Sequence, residues 1–158
     1  MIRTMKAEDL EEVLAIEKES FSSPWSHENF LYEIKENPFA KCYVYEEEGK
    51  ILGYAMMWIL FENGDITNIA VHPQYRNRGI GQQLLNRLFE EADKEGLEYL
   101  HLEVRVSNKE AIPLYLKNGF EILRIRKGYY SDTHEDAYEM WKAMGEGNDE
   151  DTGDRIEL

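Results

Sequence analysis

The stretch Arg76-Asn77-Arg78-Gly79-Ile80-Gly81-Gln82 stands where a run of strand-forming residues gives way to a run of helix formers. Two arginines and two glycines at such a junction can cradle a pyrophosphate. A helix N-terminus presents N–H groups without intrahelical acceptors and the positive end of the helix dipole. Glycine lets that backbone come close to a bulky anion and take dihedrals that other residues avoid. The stretch also fits an ordinary strand-to-helix turn with solvated arginines. It is not a P-loop, because Gln82-Gln83 replaces the Lys-Ser/Thr pair. Nor is it a full dinucleotide fingerprint, because Leu84 stands where the third glycine belongs.

A second set of residues could move protons. Leu100, Leu102 and Val104 alternate with His101, Glu103 and Arg105, so Glu103 points away from an apolar strand face. A carboxylate there is either a general base or a surface glutamate paired with Arg105 or Lys109. Asn108 and Tyr115 lie about two helical turns apart, which predicts both on one helix face. Such a tyrosine either donates a proton or packs in the core. Trp25, Tyr32, Tyr129 and Tyr130 could line an acceptor cleft or pack as core and rim aromatics. His27, His72, His101 and His134 have no metal-ligand spacing, and no metal is expected. The single cysteine, Cys42, lies in an apolar strand and reads as inert core. No G-x-S-x-G elbow is present.

The elements that must carry these groups follow from periodicity. Strands are predicted at 2–4, 41–46, 51–61, 65–71, 99–104, 120–125 and 137–143. Helices are predicted at 7–20, from a Ser26 cap to before Pro38, at 79–95 and at 109–118. Asn63-Gly64 reads as a hairpin signal, and residues 127–135 as a loop. An antiparallel meander followed by a β-α-β unit makes an α/β fold with a mixed sheet, parallel in the middle and flanked by helices on both faces.

The chain has 158 residues, enough for one domain over 1–144. Residues 145–158 carry six acids and one arginine and read as a disordered acidic tail. Lys and Arg number 18 against 32 Asp and Glu, a net charge of −14. That balance argues against nucleic acid and anionic lipid as partners and suits a cationic one. The longest apolar run, 54–61, is too short to span a bilayer, and the N-terminus has no secretory core, so a cytoplasmic protein is expected.

The segment from Asn68 to Gly81, with its Arg-x-x-Gly-x-Gly turn after a strand, resembles the acetyl-CoA signature of GNAT-type acetyltransferases. Leu102-Glu103-Val104-Arg105-Val106-Ser107-Asn108, Leu114-Tyr115, Gly119-Phe120, Arg126-Lys127-Gly128-Tyr129-Tyr130, Glu135-Asp136-Ala137 and Pro24-Trp25 resemble the RimI branch, whose members acetylate N-terminal alanine of ribosomal proteins. The resemblance covers 1–144. It implies a GNAT-like fold with a seven-stranded mixed sheet and about four helices. It implies acetyl-CoA as co-substrate, with Arg76, Arg78, Gly79, Ile80, Gly81 and Gln82 on the pyrophosphate. The backbone of Ile69, Ala70 and Val71 would pair with pantetheine, and Asn108 would contact CoA. Glu103 becomes the base, Tyr115 the acid for the leaving thiolate, and Trp25, Tyr32, Tyr129 and Tyr130 the acceptor contacts. The implied partner is a protein N-terminus, a basic ribosomal protein's, on an enzyme that is a monomer or weak dimer. Asp132, Glu135 and Asp136 in the late loop would favour such a basic acceptor. Two other readings fit: a GNAT acetylating a small amine, and a CoA-binding sensor without catalysis.

Overall fold

The computed structural model describes residues 1–145. The acidic segment expected as a tail lies outside the described residues, apart from Gly145. The elements are β1 (Ile2–Thr4), α1 (Leu10–Ser20, entered by a 3-10 turn at Ala7–Asp9), α2 (His27–Lys35), β2 (Ala40–Glu47), β3 (Lys50–Leu60), β4 (Asn63–Val71), α3 (Ile80–Lys94), β5 (Tyr99–Arg105), α4 (Ala111–Lys117), β6 (Glu121–Tyr130) and β7 (Glu135–Ala143). The strands form one mixed sheet in the order β1-β2-β3-β4-β5-β7-β6. β4 and β5 are parallel, with Asp65 opposite His101, and every other recorded pair is antiparallel. Seven strands, parallel in the middle, and four helices are as the sequence predicts.

The chain divides into two compact units, residues 1–59 with 66–90, and residues 60–65 with the chain from Glu91 onward. In the first, α1 buries Leu10, Val13, Ile16 and Glu17, a helical stripe that ends in an acid. α2 starts at a reciprocal cap: Ser26 Oγ accepts from Asn29 N–H and Asn29 Oδ1 accepts from Ser26 N–H, both at 3.1 Å. β3 is buried over seven consecutive residues, Ile51 to Met57, as a strand covered on both faces must be. α3 buries Ile80, Leu84, Leu85 and Leu88. Gly53 of β3 is where backbone and helix come closest. A Cβ there would stand 3.0 Å from the Ala70 carbonyl, 3.1 Å from Leu84 Cδ1 and 3.3 Å from Ile80 Cγ2.

In the second unit, β5 alternates cleanly, with Leu100, Leu102 and Val104 buried and His101, Glu103 and Arg105 half-buried. Leu100 and Leu102 share the buried set with Tyr115, Phe120, Ala137 and Met140.

Three local expectations are corrected. Asn63-Gly64 is not a hairpin turn; the reversal is at Phe61-Glu62, with Phe61 at φ 59, and Asn63 and Gly64 already pair with Tyr99 and Leu100. The 127–135 segment is not a loop: β6 runs on to Tyr130 and the turn is 131–134. An irregularity between Arg126 and Tyr130 lets the strand continue, with Gly128 N–H donating to Asp136 Oδ1 at 2.9 Å. Helix α4 begins at Ala111, so Asn108 precedes it instead of sharing a face with Tyr115.

Gly53→Val should destabilise the chain by about 1–3 kcal/mol through overpacking, read as a lower urea midpoint at unchanged slope; a midpoint equal to wild type would show that α3 can yield.

Candidate active site

In the first unit, the turn before α3 has the backbone of an anion cradle. Asn77 and Gly79 both have positive φ, 65 and 81. A Cβ on Gly79 would meet nothing within 4 Å, so open space faces that position. The helical ladder starts with Gln83 N–H donating to the Gly79 carbonyl at 3.0 Å, which places the N–H groups of Ile80, Gly81 and Gln82 ahead of it. Arg76 Nε donates to the Val71 carbonyl at 3.1 Å and so ties the turn to the end of β4. Arg78 lies 4.9 Å from the Tyr75 ring centroid. Gln82 Nε2 donates to Asn86 Oδ1 at 2.9 Å. On β4, Ala70 is buried while Ile69 and Val71 are half-buried. This set stays together as the sequence places it, and its donors suit a pyrophosphate.

Trp25 is held more firmly than its sequence context suggests. Its ring packs 5.2 Å from Phe30, which meets Tyr54 edge-on at 5.9 Å. Its backbone N–H donates to Glu17 Oε2 at 2.9 Å. The other oxygen of Glu17 accepts from the Tyr54 hydroxyl and, at 3.3 Å, from Asn68 Nδ2. Glu17, Tyr54 and Asn68 are all buried, and burial beside a carboxylate pushes the Tyr54 phenol well up. Tyr32 on α2 is 56% exposed and does not join this cluster's buried part. Glu33 is also buried, accepting from Asn37 Nδ2 and Trp58 Nε1, each at 2.8 Å. A cavity of about 360 Å³ in the same unit is lined by Glu12, Ile16, Glu19, Lys50 and His72. His72 Nδ1 there accepts from Gln74 N–H at 3.1 Å. Cys42 is buried and its thiol is pushed up to about 12 by burial, as an inert core residue's would be.

In the second unit, Glu103 is half-buried on the polar face of β5. Burial raises its pKa, His101 lowers it, and Asp65 and Glu139 raise it. Its ionic neighbour is His101, with Nε2 at 3.7 Å from Oε2. Arg105, a sequence candidate for that pairing, is committed elsewhere. It bonds Asp132 Oδ2 at 3.0 Å, Glu135 Oε1 at 3.4 Å and Thr133 Oγ1 at 3.0 Å, and lies 3.9 Å over the Tyr130 ring. Arg105 therefore clamps the β6–β7 turn. Tyr129 and Tyr130 meet edge to face at 4.9 Å, with Arg126 5.3 Å from the Tyr129 ring. Burial pushes Tyr130 up to about 12. Tyr115 is fully packed against Phe120, 5.6 Å between centroids, and burial pushes its phenol up, with Tyr130 adding to the effect. The fold thus gathers Glu103, Tyr129, Tyr130 and Tyr115 into one electrostatic neighbourhood. Asn108 stands apart from Tyr115's face: its Oδ1 accepts from Ala111 N–H at 3.0 Å and starts α4.

The three late-loop acids are used internally. Asp132 and Glu135 pair with Arg105, and Asp136 accepts from Lys127 at 3.2 Å and from Gly128 N–H. Three acids against two cations leave the turn with a net negative charge. Sequence spacing missed the meeting of Asp65 and His101 with Glu103, one side-chain oxygen or nitrogen of each lying within 4.8 Å of the others. Nothing in sequence separation brings β4 beside β5. Glu17 and Arg105 carried faint signals, an acid in an apolar helical stripe and a cation on the polar face of β5.

Residues 10–120 match the Acetyltransferase (GNAT) family. The [ribosomal protein bS18]-alanine N-acetyltransferase of Escherichia coli (strain K12) is 35% identical over 141 residues, covering 88% of this chain and 94% of its own. A Bacillus subtilis (strain 168) protein provisionally assigned the same activity is 42% identical over 145 residues, covering 92% and 96%. The crystal structure of the ribosomal-protein-S18-alanine N-acetyltransferase from Escherichia coli superimposes with a TM-score of 0.82 at 34% identity, over 91% of this chain and 93% of that one.

Glu17→Ala should cost about 3 kcal/mol or more, since it strands the Tyr54 hydroxyl, the Asn68 amide and the Trp25 N–H. Glu17→Gln, which keeps an acceptor, should cost less. Urea unfolding of both variants measures this, and equal losses would show that the carboxylate is not the shared acceptor.

Proposed function

The chain belongs to the GNAT acetyltransferase family, and on that premise we propose that it moves acetyl from acetyl-CoA to the free α-amine of a protein N-terminus, with N-terminal alanine of a ribosomal protein as acceptor. It is an acyltransferase, and enzymes of this family use acetyl-CoA. The observation that carries the reading is Glu103: a half-buried carboxylate on the polar face of β5, made more basic by desolvation.

In this reading Arg76 and Arg78 with the N–H groups of Gly79 to Gln82 hold the pyrophosphate, and the backbone of Ile69 to Val71 aligns the pantetheine arm. Asn108 contributes to CoA contact through the loop before α4. An α-ammonium has a pKa of roughly 7.7–8.0, so a carboxylate, acting directly or through water, can take its proton. The neutral nitrogen attacks the thioester carbonyl; as the C–S bond breaks, the Tyr115 hydroxyl gives its proton to the departing sulfur, and the second nitrogen proton, released as the amide forms, returns to the tyrosinate directly or through water. Burial keeps Tyr115 in the protonated form that a donor needs. Direct transfer requires no acyl-enzyme. Trp25, Tyr32, Tyr129 and Tyr130 are the acceptor contacts in this reading. The Arg105 stack on Tyr130 supports that assignment by fixing a tyrosine that an open strand end would leave free to rotate.

The test is CoA release from acetyl-CoA with Ala-Arg-starting peptides, the same peptides with blocked N-termini, and spermidine. Turnover confined to free N-termini supports the reading. Turnover on spermidine alone assigns a small-amine acceptor, and binding of acetyl-CoA without turnover on any acceptor assigns a sensor. Glu103→Gln should lower kcat by about 10²–10⁴-fold at unchanged acetyl-CoA affinity. Tyr115→Phe should lower kcat more than it raises KM, since the hydroxyl acts on the departing sulfur. A pure KM effect in stopped-time assays would remove Tyr115 from the chemistry.

A further inference from the structure

Glu103 on β5 stands directly opposite Glu139 on β7 in the antiparallel register. Like charges in that relation repel and destabilise a sheet. Asp65, on the strand at the other side of β5, adds a third carboxylate, opposite His101. Three acids around one half-buried strand need a cation. His101 is placed to be it: two residues before Glu103, it shares that residue's face of β5.

Both of its ring nitrogens face carboxylates. Nδ1 is 3.1 Å from Asp65 Oδ1, and Nε2 is 2.7 Å from Glu139 Oε2. A neutral imidazole has one N–H and one lone pair, so one of these contacts would set a lone pair against a carboxylate oxygen. Only the imidazolium donates to both.

Resting on the reading of Glu103 as the base, we propose that His101 is a positioning residue: an imidazolium strapped between Asp65 and Glu139 whose charge keeps the Glu103 carboxylate ionised and ready to accept the amine's proton.

The surrounding groups agree. Glu139 has further cations on β6, with Arg124 Nε and Arg126 Nη1 at 3.4 and 3.5 Å from its Oε1. Tyr129, also on β6, is raised by burial and by the Glu103 charge, and stays neutral. The His101 ring is pushed up to about 9, first by its hydrogen bond to Asp65, against the opposing effect of burial. Arg126 and His101 are the two cations that lower Glu103, against burial, Asp65 and Glu139, and the His101 effect is the larger. The linkage has a sign. A folded pKa raised above the unfolded value near 6.5 contributes stability present below pH 6.5 and lost as pH rises through about 9.

The experiment uses the full chain. NMR titration of the His101 ring should show it protonated at pH 7.5 and losing its proton near pH 9. In kcat/KM against pH with an Ala-starting peptide, the acid limb falls with a slope of one as Glu103 takes up a proton, and the basic limb follows loss of the proton that the amine must still carry. The acid-side bend therefore reports Glu103. His101→Gln should move the bend up by about one pH unit, a loss of about tenfold below it. His101→Lys, which returns a positive charge, should move it back toward wild type. A ring that titrates near 6.5 overturns the inference and leaves the base reading standing, and wild-type NMR decides this even if the variants fold poorly. A bend unmoved in both variants also overturns it. A Glu103→Gln enzyme that keeps the wild-type bend overturns the base reading instead.

Discussion

Burial of Leu100, Leu102 and Val104 on one face of β5 obliges His101, Glu103 and Arg105 to share the other. Every arrangement in the second unit follows from that period of two. Glu103 becomes a half-buried carboxylate, His101 comes within reach of acids on the strands at either side, and Arg105 reaches the β6–β7 turn. A slip of one residue in register would bury these three polar groups and expose three aliphatic ones. The apolar core therefore sets the polar face of β5 through geometry: that face is what remains once the aliphatic side chains are accommodated.

Acids outnumber bases in this chain, yet the structure spends many of them inside itself. Glu17 and Glu33 act as buried acceptors for Tyr54, Trp58, Asn37, Asn68 and the Trp25 backbone. Asp9 pairs with Arg3, which holds its carboxyl below the usual range. Asp132, Glu135 and Asp136 bond Arg105, Lys127 and backbone N–H groups, three acids against two cations. The net charge of −14 adds a long-range field that favours cationic partners.

Two kinds of acid served two ends. In the first unit a buried carboxylate organises neutral donors around Trp25, where the loss of one acceptor would strand several buried groups at once. In the second, carboxylates repel one another across strands and are reconciled by one imidazolium and two arginines. The first arrangement gives rigidity to a packed tryptophan. The second leaves a half-buried carboxylate whose basicity is raised by burial and held in check by His101.

Strand and helix order, the Ser26 cap, the glycine turn before α3 and the polar placement of Glu103 were legible in the amino-acid order, because each rests on local periodicity or on chemistry within a few residues. Asn108 does not share a helix face with Tyr115, because a seven-residue interval implies one only if the helix spans it, and the helix starts at Ala111. Asn63-Gly64 is no turn, because a strong turn dipeptide yields to parallel pairing with β5. The extension of β6 through Tyr129 and Tyr130 depends on Asp136 of β7 holding Gly128, a partner no local window contains. The same reason separates all that was legible from what was not. Neighbours along the chain decide which residues alternate and cap, whereas the meeting of Asp65, His101 and Glu139, the role of Glu17 beneath Trp25 and the grip of Arg105 on Tyr130 depend on strands and turns distant in sequence, and only the tertiary pairing brings those charges within a few ångströms.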